Sequence, residues 1–251
     1  MIELTNLTKK YADLVAVDNL NLLVPRGEIF GFIGPNGAGK TTTIKIMGGI
    51  NAPTSGTVMI CGIDIGTHPE QAKRKIGFIP DRPYLYEKLT GMEFLRFTAD
   101  LYDVDDKTFS WKAEEKLKMF SLLDWSDELI ESYSHGMKQR LVMSAALLHD
   151  PEVIIVDEPM VGLDPVAIKM VKELFKYLSS EGVTIFMSTH TLKVAEDICH
   201  RIGIIHKGSL IATGTPEDLR QKAHASQADL EDVFIELTQE KGSLSFKGKS
   251  E

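Results

Sequence analysis

The architecture of this chain can be inferred from one glycine-rich segment, Gly34-Pro35-Asn36-Gly37-Ala38-Gly39-Lys40-Thr41. It fits the pattern GxxxxGK[ST], in which backbone N–H groups and a lysine hold phosphate oxygens. An apolar run at 29–33 precedes the segment, helical character follows at 41–48, and a further strand is expected at 57–60. This order of strand, glycine turn, helix and strand is typical of an α/β nucleotide-binding core.

The residue types in this segment predict a site for a triphosphate and Mg²⁺. The glycines allow a tight loop whose N–H groups turn inward, and the following helix adds the positive end of its dipole. Each charge-assisted hydrogen bond there contributes about 1.5 to 3 kcal/mol. We expect Lys40 to neutralise the β- and γ-phosphates, Thr41 to offer its hydroxyl to Mg²⁺, and Thr42 to reach the α-phosphate. The alternative is a glycine-rich turn that only links a strand to a helix.

Two adjacent carboxylates follow a second buried strand. The run 153–156 is wholly apolar and leads directly into Asp157 and Glu158. Acids rarely follow a buried strand unless a cation lies there. We predict that Asp157 binds Mg²⁺ directly or through one of its ligands, and that Glu158 polarises the attacking water. The alternative is a pair of solvated acids in an ordinary loop.

A histidine follows a third strand-like run, at 183–188. His190 comes directly after Thr189, and no other histidine of the chain is placed comparably. We predict that its imidazole contacts the γ-phosphate. The alternative is a satisfied or exposed histidine without such a role.

A helical pattern interrupts the core. Between about 82 and 150 the sequence changes to amphipathic helices, which we interpret as an inserted helical subdomain. Thr90 and Glu93 have the spacing of a capping box at its start. We therefore predict one domain over 1–222 that contains this subdomain, and a helical extension with a flexible tail over 223–251.

The β-rich parts flank this subdomain. Short strands are expected at 2–8 and 15–24. After the subdomain, a helix is expected at 166–179 and a hairpin at 202–213, with its turn at Lys207-Gly208.

Composition restricts the class of protein. The 251 residues are 43% apolar and 25% charged, which is ordinary for a globular chain with a sizeable core. Cys61 and Cys199 form no CxxC or Cys/His cluster, so we expect no disulfide or zinc site and a reducing cytosol.

The apolar runs fall far short of the roughly 18 to 20 residues that span a bilayer, and no secretion signal is expected. The net charge of -8 argues against broad binding to nucleic acid.

A further motif narrows the family. Ser134-His135-Gly136-Met137-Lys138-Gln139 resembles the signature LSGGQ of ATP-binding cassette (ABC) proteins, and the order of all motifs resembles that family over about 2–217. The stretch 230–234 is similar to the tails of type-2 ABC exporter subunits. The resemblance implies an α/β fold made of a P-loop NTPase core, an antiparallel β subdomain and an inserted α-helical subdomain.

The resemblance also implies roles for residues outside the first two motifs. Tyr11 is expected to stack on adenine, and Ser134 with the N–H groups around Gly136 to contact the γ-phosphate of ATP held by a second copy. Ser134 precedes a helical run, so the positive end of that helix forms an anion site. Asp164 is expected to line the interface between the copies. Two chains packed head to tail, with two ATP molecules between them, satisfy both half-sites.

Four positions depart from the family pattern. Tyr133 stands in place of a leucine, and His135 and Met137 replace the first glycine and the glutamine of the signature. We expect the phosphate contact to survive these changes. Asp81 occupies the position of a glutamine between the core and the helical subdomain. A carboxylate about 4 Å from a phosphate charge is repelled by about 4 kcal/mol at an effective dielectric near 20, so Asp81 is expected to bind Mg²⁺ or to turn away.

The resemblance implies an ATPase subunit that powers transport. ATP closes the dimer, and hydrolysis at Glu158, assisted by Lys40 and His190, reopens it to reset a separate membrane permease. The permease is expected to dock near 84–97 and to hold the chain at the inner, cytoplasmic face of the cell membrane. Export is favoured over import, the second subunit is either identical or homologous, and the cargo depends on the permease.

Two other functions stay open. A mechanoenzyme acting on nucleic acid or ribosomes is disfavoured by the single cassette, the absence of sustained heptads and the negative charge. The other is a kinase that uses the same phosphate-binding segment on a small acceptor. This function would leave the signature and His190 without a role.

Overall fold

The computed structural model describes residues 1–222 and Phe234. The strands of this part are β1 (Ile2–Tyr11), β2 (Leu14–Val24), β3 (Ile29–Ile33), β4 (Ser55–Ile60), β5 (Ile63–Asp64), β6 (Ile76–Ile79), β7 (Val153–Asp157), β8 (Thr184–Thr189), β9 (Arg201–His206) and β10 (Ser209–Gly214). The predicted extension and tail over 223–251 lie outside the described residues, apart from Phe234. This residue is helical and packs against the larger hydrophobic core.

One sheet is antiparallel, with the strand order β2-β1-β4-β5. β1 continues to Tyr11, beyond the end at residue 8 that the sequence predicts. The pairing of β1 with β2 shifts register between Leu4 and Leu7 and again near Lys9. Such bulges insert residues without ending a strand, which is why the shorter strand prediction was wrong.

The other sheet has the strand order β10-β9-β3-β8-β7-β6. Neighbouring strands from β9 to β6 are parallel, and only β10 pairs antiparallel within this sheet. Every residue of β3, β7 and β8 is buried, as in parallel sheets covered on both faces. Because these three strands are parallel neighbours, the segments that follow them leave the sheet at one edge. The α/β core is confirmed, and its three predicted motifs meet at that edge.

The helices connect these strands. They are α1 (Lys40–Met47), α2 (Pro69–Lys73), α3 (Gly91–Leu101), α4 (Asp106–Met119), α5 (His135–Ala146), α6 (Pro165–Ser180), α7 (Leu192–Ile198) and α8 (Pro216–Lys222). α3, α4 and α5 lie between β6 and β7, as an inserted helical subdomain requires. The capping box at its start is present: the hydroxyl of Thr90 accepts from the backbone N–H of Glu93 at 3.2 Å, and the Glu93 carboxylate accepts from the N–H of Thr90 at 2.8 Å. The exact domain limits stay a prediction.

The hairpin predicted after α7 is formed by β9 and β10. Its turn is Lys207-Gly208, with φ angles of 48° and 83°. Within residues 1–222, no helix combines the length and the apolar character needed to cross a bilayer.

Candidate nucleotide-binding site

The glycine-rich segment forms a loop between β3 and α1, and we call residues 34–41 the phosphate loop. Gly39 has a φ of 110°, and a Cβ there would lie 2.4 Å from the carbonyl oxygen of Ala16. A Cβ at Gly34 would lie 2.4 Å from the carbonyl oxygen of Ile205. Both positions require glycine because β2 and β9 press directly against the loop. The loop leads into the positive end of α1, which favours an anion.

Lys40 is buried at the start of α1. Its Nζ donates to the carbonyl oxygens of Gly34 at 2.7 Å and Pro35 at 3.3 Å, so the ammonium group lies against the loop. Burial lowers the pKa of Lys40, while the nearby carboxylates of Glu158 and Asp157 oppose that change. A desolvated cation at this position strengthens attraction to a phosphate.

Asp157 accepts hydrogen bonds from two hydroxyl groups. Thr41 Oγ1 donates to its Oδ2 at 2.9 Å, and Ser188 Oγ donates to its Oδ1. The carboxylate is almost fully buried at the end of β7. The two donors fix the direction of the carboxylate relative to α1.

The donor set at this point suits Mg²⁺. A hydroxyl and a carboxylate oxygen stand side by side at Thr41 and Asp157, and Mg²⁺ prefers oxygen ligands. In nucleotide sites this ion takes only one or two carboxylates and completes its shell with phosphates and water. Among the described residues, no group of three or more His, Cys, Asp or Glu side chains that could hold a metal ion occurs.

Glu158 and His190 are in contact. Nδ1 of His190 lies 2.8 Å from Oε1 of Glu158, and the backbone N–H of His190 donates to Oε2 at 3.4 Å. Glu158 has a φ of 52°, and its backbone N–H donates to the carbonyl oxygen of Ser188. A non-glycine residue in this conformation stores strain, which is common at functional sites. The Glu158 side chain is 16% exposed and that of His190 60%, so both can meet a ligand.

A cavity of about 750 Å³ joins these groups. The residues that line it come from β1, β2, the phosphate loop, the ends of the parallel strands and the hairpin turn; they are Tyr11, Leu14, Val15, Ala16, Asn36, Gly37, Ala38, Gly39, Lys40, Thr41, Thr42, Asp81, Asp157, Glu158, His190 and Lys207. The structure thus brings together most of the residues singled out from the sequence. Gly34 and Pro35 are not among the residues that line the cavity. Their carbonyl oxygens accept hydrogen bonds from Nζ of Lys40.

Tyr11 lies at the end of β1, on the cavity wall. Its hydroxyl accepts from Nδ2 of Asn51 at 3.1 Å, and the ammonium of Lys9 stands 5.0 Å from the centre of its ring. The ring is 43% exposed, which leaves area for stacking on a base.

Asp81 also lines the cavity, two residues after β6. It therefore belongs to the lining of the same cavity as Thr41 and Asp157. Its assignment as a metal ligand stays a prediction.

Ser134, Gly136 and Asp164 do not line this cavity. Ser134 caps α5, since its Oγ accepts from the N–H of Met137 at 3.3 Å. Asp164 caps α6, since its Oδ1 accepts from the N–H of Ala167 at 2.8 Å. The two caps therefore belong to a surface separate from the phosphate loop of the same chain.

Two of the three departures in the signature make specific contacts within the chain. The ring of His135 packs on Gly162, where an added Cβ would lie 2.3 Å from Cδ2 and 2.7 Å from Nε2 of the imidazole. Tyr133 is buried, and its hydroxyl donates to the carbonyl oxygen of Trp125 at 2.5 Å. A leucine at position 133 could not satisfy that carbonyl group.

Sequence reasoning missed several residues of the site. Ser188 could have been found, because it is a hydroxyl near the end of a buried strand that neighbours Asp157. Leu14, Val15 and Ala16 carry no motif and are placed by the pairing of β2 with β1. Lys207 reaches the cavity only through the position of the β9–β10 turn.

A glycine loop that leads into a helix, a lysine bent over it and a threonine–aspartate pair beside it define a P-loop nucleotide-binding protein. The chain belongs to the ABC transporter family, whose model matches residues 17–161, more than half of the chain.

Comparisons with individual proteins agree with this class. The chain is 38% identical over 243 residues to the probable multidrug ABC transporter ATP-binding protein YbhF of Escherichia coli strain K12, which covers 94% of this chain and 41% of YbhF. It therefore spans less than half the length of that relative. A solved structure of an ATP-binding subunit of an ABC transporter is similar with a TM-score of 0.89 and 34% identity, covering 94% of this chain and 99% of the other. The dimeric structure of MJ0796, a bacterial ABC transporter cassette, has a TM-score of 0.80 and 29% identity, covering 86% and 98%.

Proposed function

We propose that this chain binds MgATP, hydrolyses it to ADP and phosphate, and thereby powers a membrane transporter. One observation carries the proposal: the Thr41–Asp157 and Glu158–His190 contacts stand on the wall of the cavity that the phosphate loop lines. Binding groups, metal donors and a general base therefore face one ligand. Tyr11 receives the adenine at the other end of the cavity.

Hydrolysis uses the carboxylate next to the metal site. Glu158 accepts a proton from the attacking water, and its contact with His190 holds the carboxylate in place. Lys40 stabilises the negative charge on the transferred phosphoryl group. Thr41 and Asp157 would hold Mg²⁺, which would supply positive charge to the bound phosphates. Asp81, which lines the same cavity, is a further candidate oxygen ligand.

The active form is a head-to-tail dimer of two copies, or of one copy and a homologue. Ser134 and Gly136 present the N-terminus of α5 away from the cavity of their own chain, so a second chain must supply the phosphate they bind. Asp164, at the start of α6, lines the same interface. The dimeric form of the related cassette supports this arrangement.

The transported cargo crosses through a separate permease, which holds the chain at the cytoplasmic face of the membrane. A groove of about 180 Å³ between the core and the helical subdomain is the docking site, and it is lined by Phe78, Pro80, Tyr84, Phe94, Thr98, Tyr102, Val142, Ala145 and Ala146. Exposed apolar side chains surround it, including Tyr84, which is 80% exposed. Export is the proposed direction, on the basis of the signature and tail resemblance and of the multidrug name of the relative.

Substitution of the general base tests the ATPase and the dimer together. Glu158→Gln keeps the shape of the side chain but removes its basicity, so phosphate release falls by at least about 100-fold while MgATP stays bound. Size-exclusion chromatography with light scattering then detects a nucleotide-loaded dimer. Glu181→Gln, at an exposed position at the end of α6, is the matched control and behaves as the wild type. A Glu158→Gln chain that stays monomeric and empty with excess MgATP and its permease present would refute the proposal.

Docking is tested separately by membrane association. Tyr84→Ala in the groove weakens co-purification with the permease, whereas its ATPase activity in the isolated chain is retained. Trp111→Ala removes another exposed aromatic side chain, from α4 and outside the groove, and serves as the control. Equal retention of the permease by both variants contradicts this docking site.

A further inference from the structure

The turn between β9 and β10 holds a lysine in an unfavourable backbone conformation. Lys207 has a φ of 48°, in the left-handed region. Glycine, asparagine and aspartate adopt this region more readily, and they are the usual residues in a two-residue hairpin turn. A lysine here is therefore not explained by the requirements of the turn.

Hydrogen bonds attach this turn to two walls of the nucleotide cavity. The N–H of Gly208 donates to the carbonyl oxygen of Ala38 in the phosphate loop at 2.9 Å, and the carbonyl oxygen of Gly208 accepts from the N–H of Asp18 in β2 at 2.9 Å. A Cβ at Gly208 would lie 3.1 Å from the carbonyl oxygen of Ala16, so the turn also packs closely on β2. The position of Lys207 is thus fixed relative to the phosphate loop.

The side chain of Lys207 lines the cavity beside Val15 and Ala16. Across residues 1–222 and Phe234, its ammonium group forms no hydrogen bond or ion pair. Lys40, in contrast, is held by two carbonyl oxygens at the start of α1. The cavity therefore presents a second cation, on the side of β2 and the hairpin.

This location corresponds to the middle of a bound nucleotide. The base lies at Tyr11 at the end of β1, and the terminal phosphates lie at Lys40 and Thr41. Val15, Ala16 and Ala38 line the same cavity, and Gly208, next to Lys207, is hydrogen-bonded to Ala38, so we assign the ribose and the α-phosphate to this side of the cavity.

We propose that Lys207 is a nucleotide-binding residue that neutralises the α-phosphate of the bound nucleotide. The proposal rests on the function proposed above and adds a residue to its site. Lys40 meets the β- and γ-phosphates, so the α-phosphate otherwise receives only neutral donors such as Thr42. The ammonium group of Lys207 has no partner among the described residues, so it can bind the α-phosphate without first breaking an ion pair.

Variants that keep the turn test this role. Lys207→Asn removes the charge with a residue suited to positive φ, and Lys207→Arg retains the charge. Lys107→Asn, at an exposed position in α4 outside the cavity, changes the net charge equally and is the matched control. Circular dichroism and thermal unfolding establish that all variants are folded.

Isothermal titration of the full chain with MgADP, and of the Glu158→Gln form with MgATP, measures the contribution. We expect Lys207→Asn to raise the Kd values of MgADP and MgATP by the same factor, about three- to tenfold. This is the effect expected from the loss of one exposed charge-assisted contact. Lys207→Arg restores the Kd to within about twofold, and the effect of Lys207→Asn declines at high salt. Lys107→Asn leaves both Kd values unchanged.

Three results separate the possible failures. Unchanged binding of MgADP and MgATP by Lys207→Asn overturns the inference while leaving the proposed function intact. A loss for MgATP without a loss for MgADP assigns the lysine to the γ-phosphate and also overturns it. A wild-type chain that binds neither nucleotide overturns both the inference and the proposed function.

Discussion

The contact between His135 and Gly162 links the signature to the loop that follows Glu158, the proposed general base. In a Gly162→Ala variant two costs arise. The backbone stays at a φ near 77°, where an alanine costs about 1 to 2 kcal/mol. The new Cβ also meets the imidazole at 2.3 Å, so the ring must rotate out of its contact, at about 0.5 to 1.5 kcal/mol. We expect a total loss of about 2 to 3 kcal/mol in the free energy of unfolding.

A double-mutant cycle isolates the ring contact from the backbone strain. His135→Ala removes the ring, so Gly162→Ala in that background costs only the strain, and the coupling free energy is about 1 kcal/mol. Gly62→Ala is the matched control, because Gly62 has a φ of 79° and nothing within 4 Å of an added Cβ. Gly62→Ala is expected to lower the free energy of unfolding by the same amount whether position 135 is histidine or alanine.

Urea unfolding of the four proteins of the cycle, without nucleotide, measures these free energies. A coupling below about 0.3 kcal/mol, the usual limit for independent sites, would show that the imidazole moves aside freely and would refute the reasoning.

Three further predictions follow from other contacts. Ser188→Ala removes one of the two hydroxyl donors to buried Asp157 and lowers the free energy of unfolding by about 1 to 3 kcal/mol, measured with urea; an unchanged midpoint contradicts this. Asp81→Ala leaves measurable ATPase activity in the isolated chain, whereas Glu158→Gln abolishes it; equal loss in phosphate-release assays contradicts this division of roles. Burial lowers the pKa of His149 to about 4, from 6.5, so the unfolded chain binds the proton more readily between these values. This contribution to stability is therefore complete above pH 6.5, and the free energy of unfolding falls by up to about 3 kcal/mol as the pH drops towards 4. His149→Phe keeps a ring at this position but binds no proton, so its unfolding measurements lack that part of the pH dependence.

The main site elements could be predicted because they follow from local sequence. The phosphate loop needs glycines at positions where β2 and β9 approach, and the acidic pair stands directly after an apolar strand. Parallel strand order then places Asp157 and His190 near the loop without further information. The placement of these residues around one cavity could therefore be predicted from the sequence, and their chemical roles stay predictions.

The missed features depend on tertiary placement. Lys207 is distant in sequence from the phosphate loop and meets the cavity only because Gly208 bonds to Ala38. The continuation of β1 to Tyr11 depends on bulges, for which periodicity gives no signal. The contact of His135 with Gly162 joins two loops whose distance no local pattern determines.

One loop connects Glu158, the proposed general base, with Gly162, which contacts the ring of His135, and with Asp164, the proposed interface residue. The carbonyl oxygen of Glu158 accepts from the N–H of Val161 at 3.2 Å, which closes a tight turn directly after the carboxylate. Gly162 follows under the imidazole of His135, and Asp164 then caps α6. We expect a change in the position of Glu158 to affect both the signature contact and the start of α6, because the connection between them is short and held by these contacts. We therefore expect that, in the proposed dimer, loss of the γ-phosphate at one nucleotide site affects the Ser134 surface of the same chain through this short connection. That surface contacts the nucleotide at the other site.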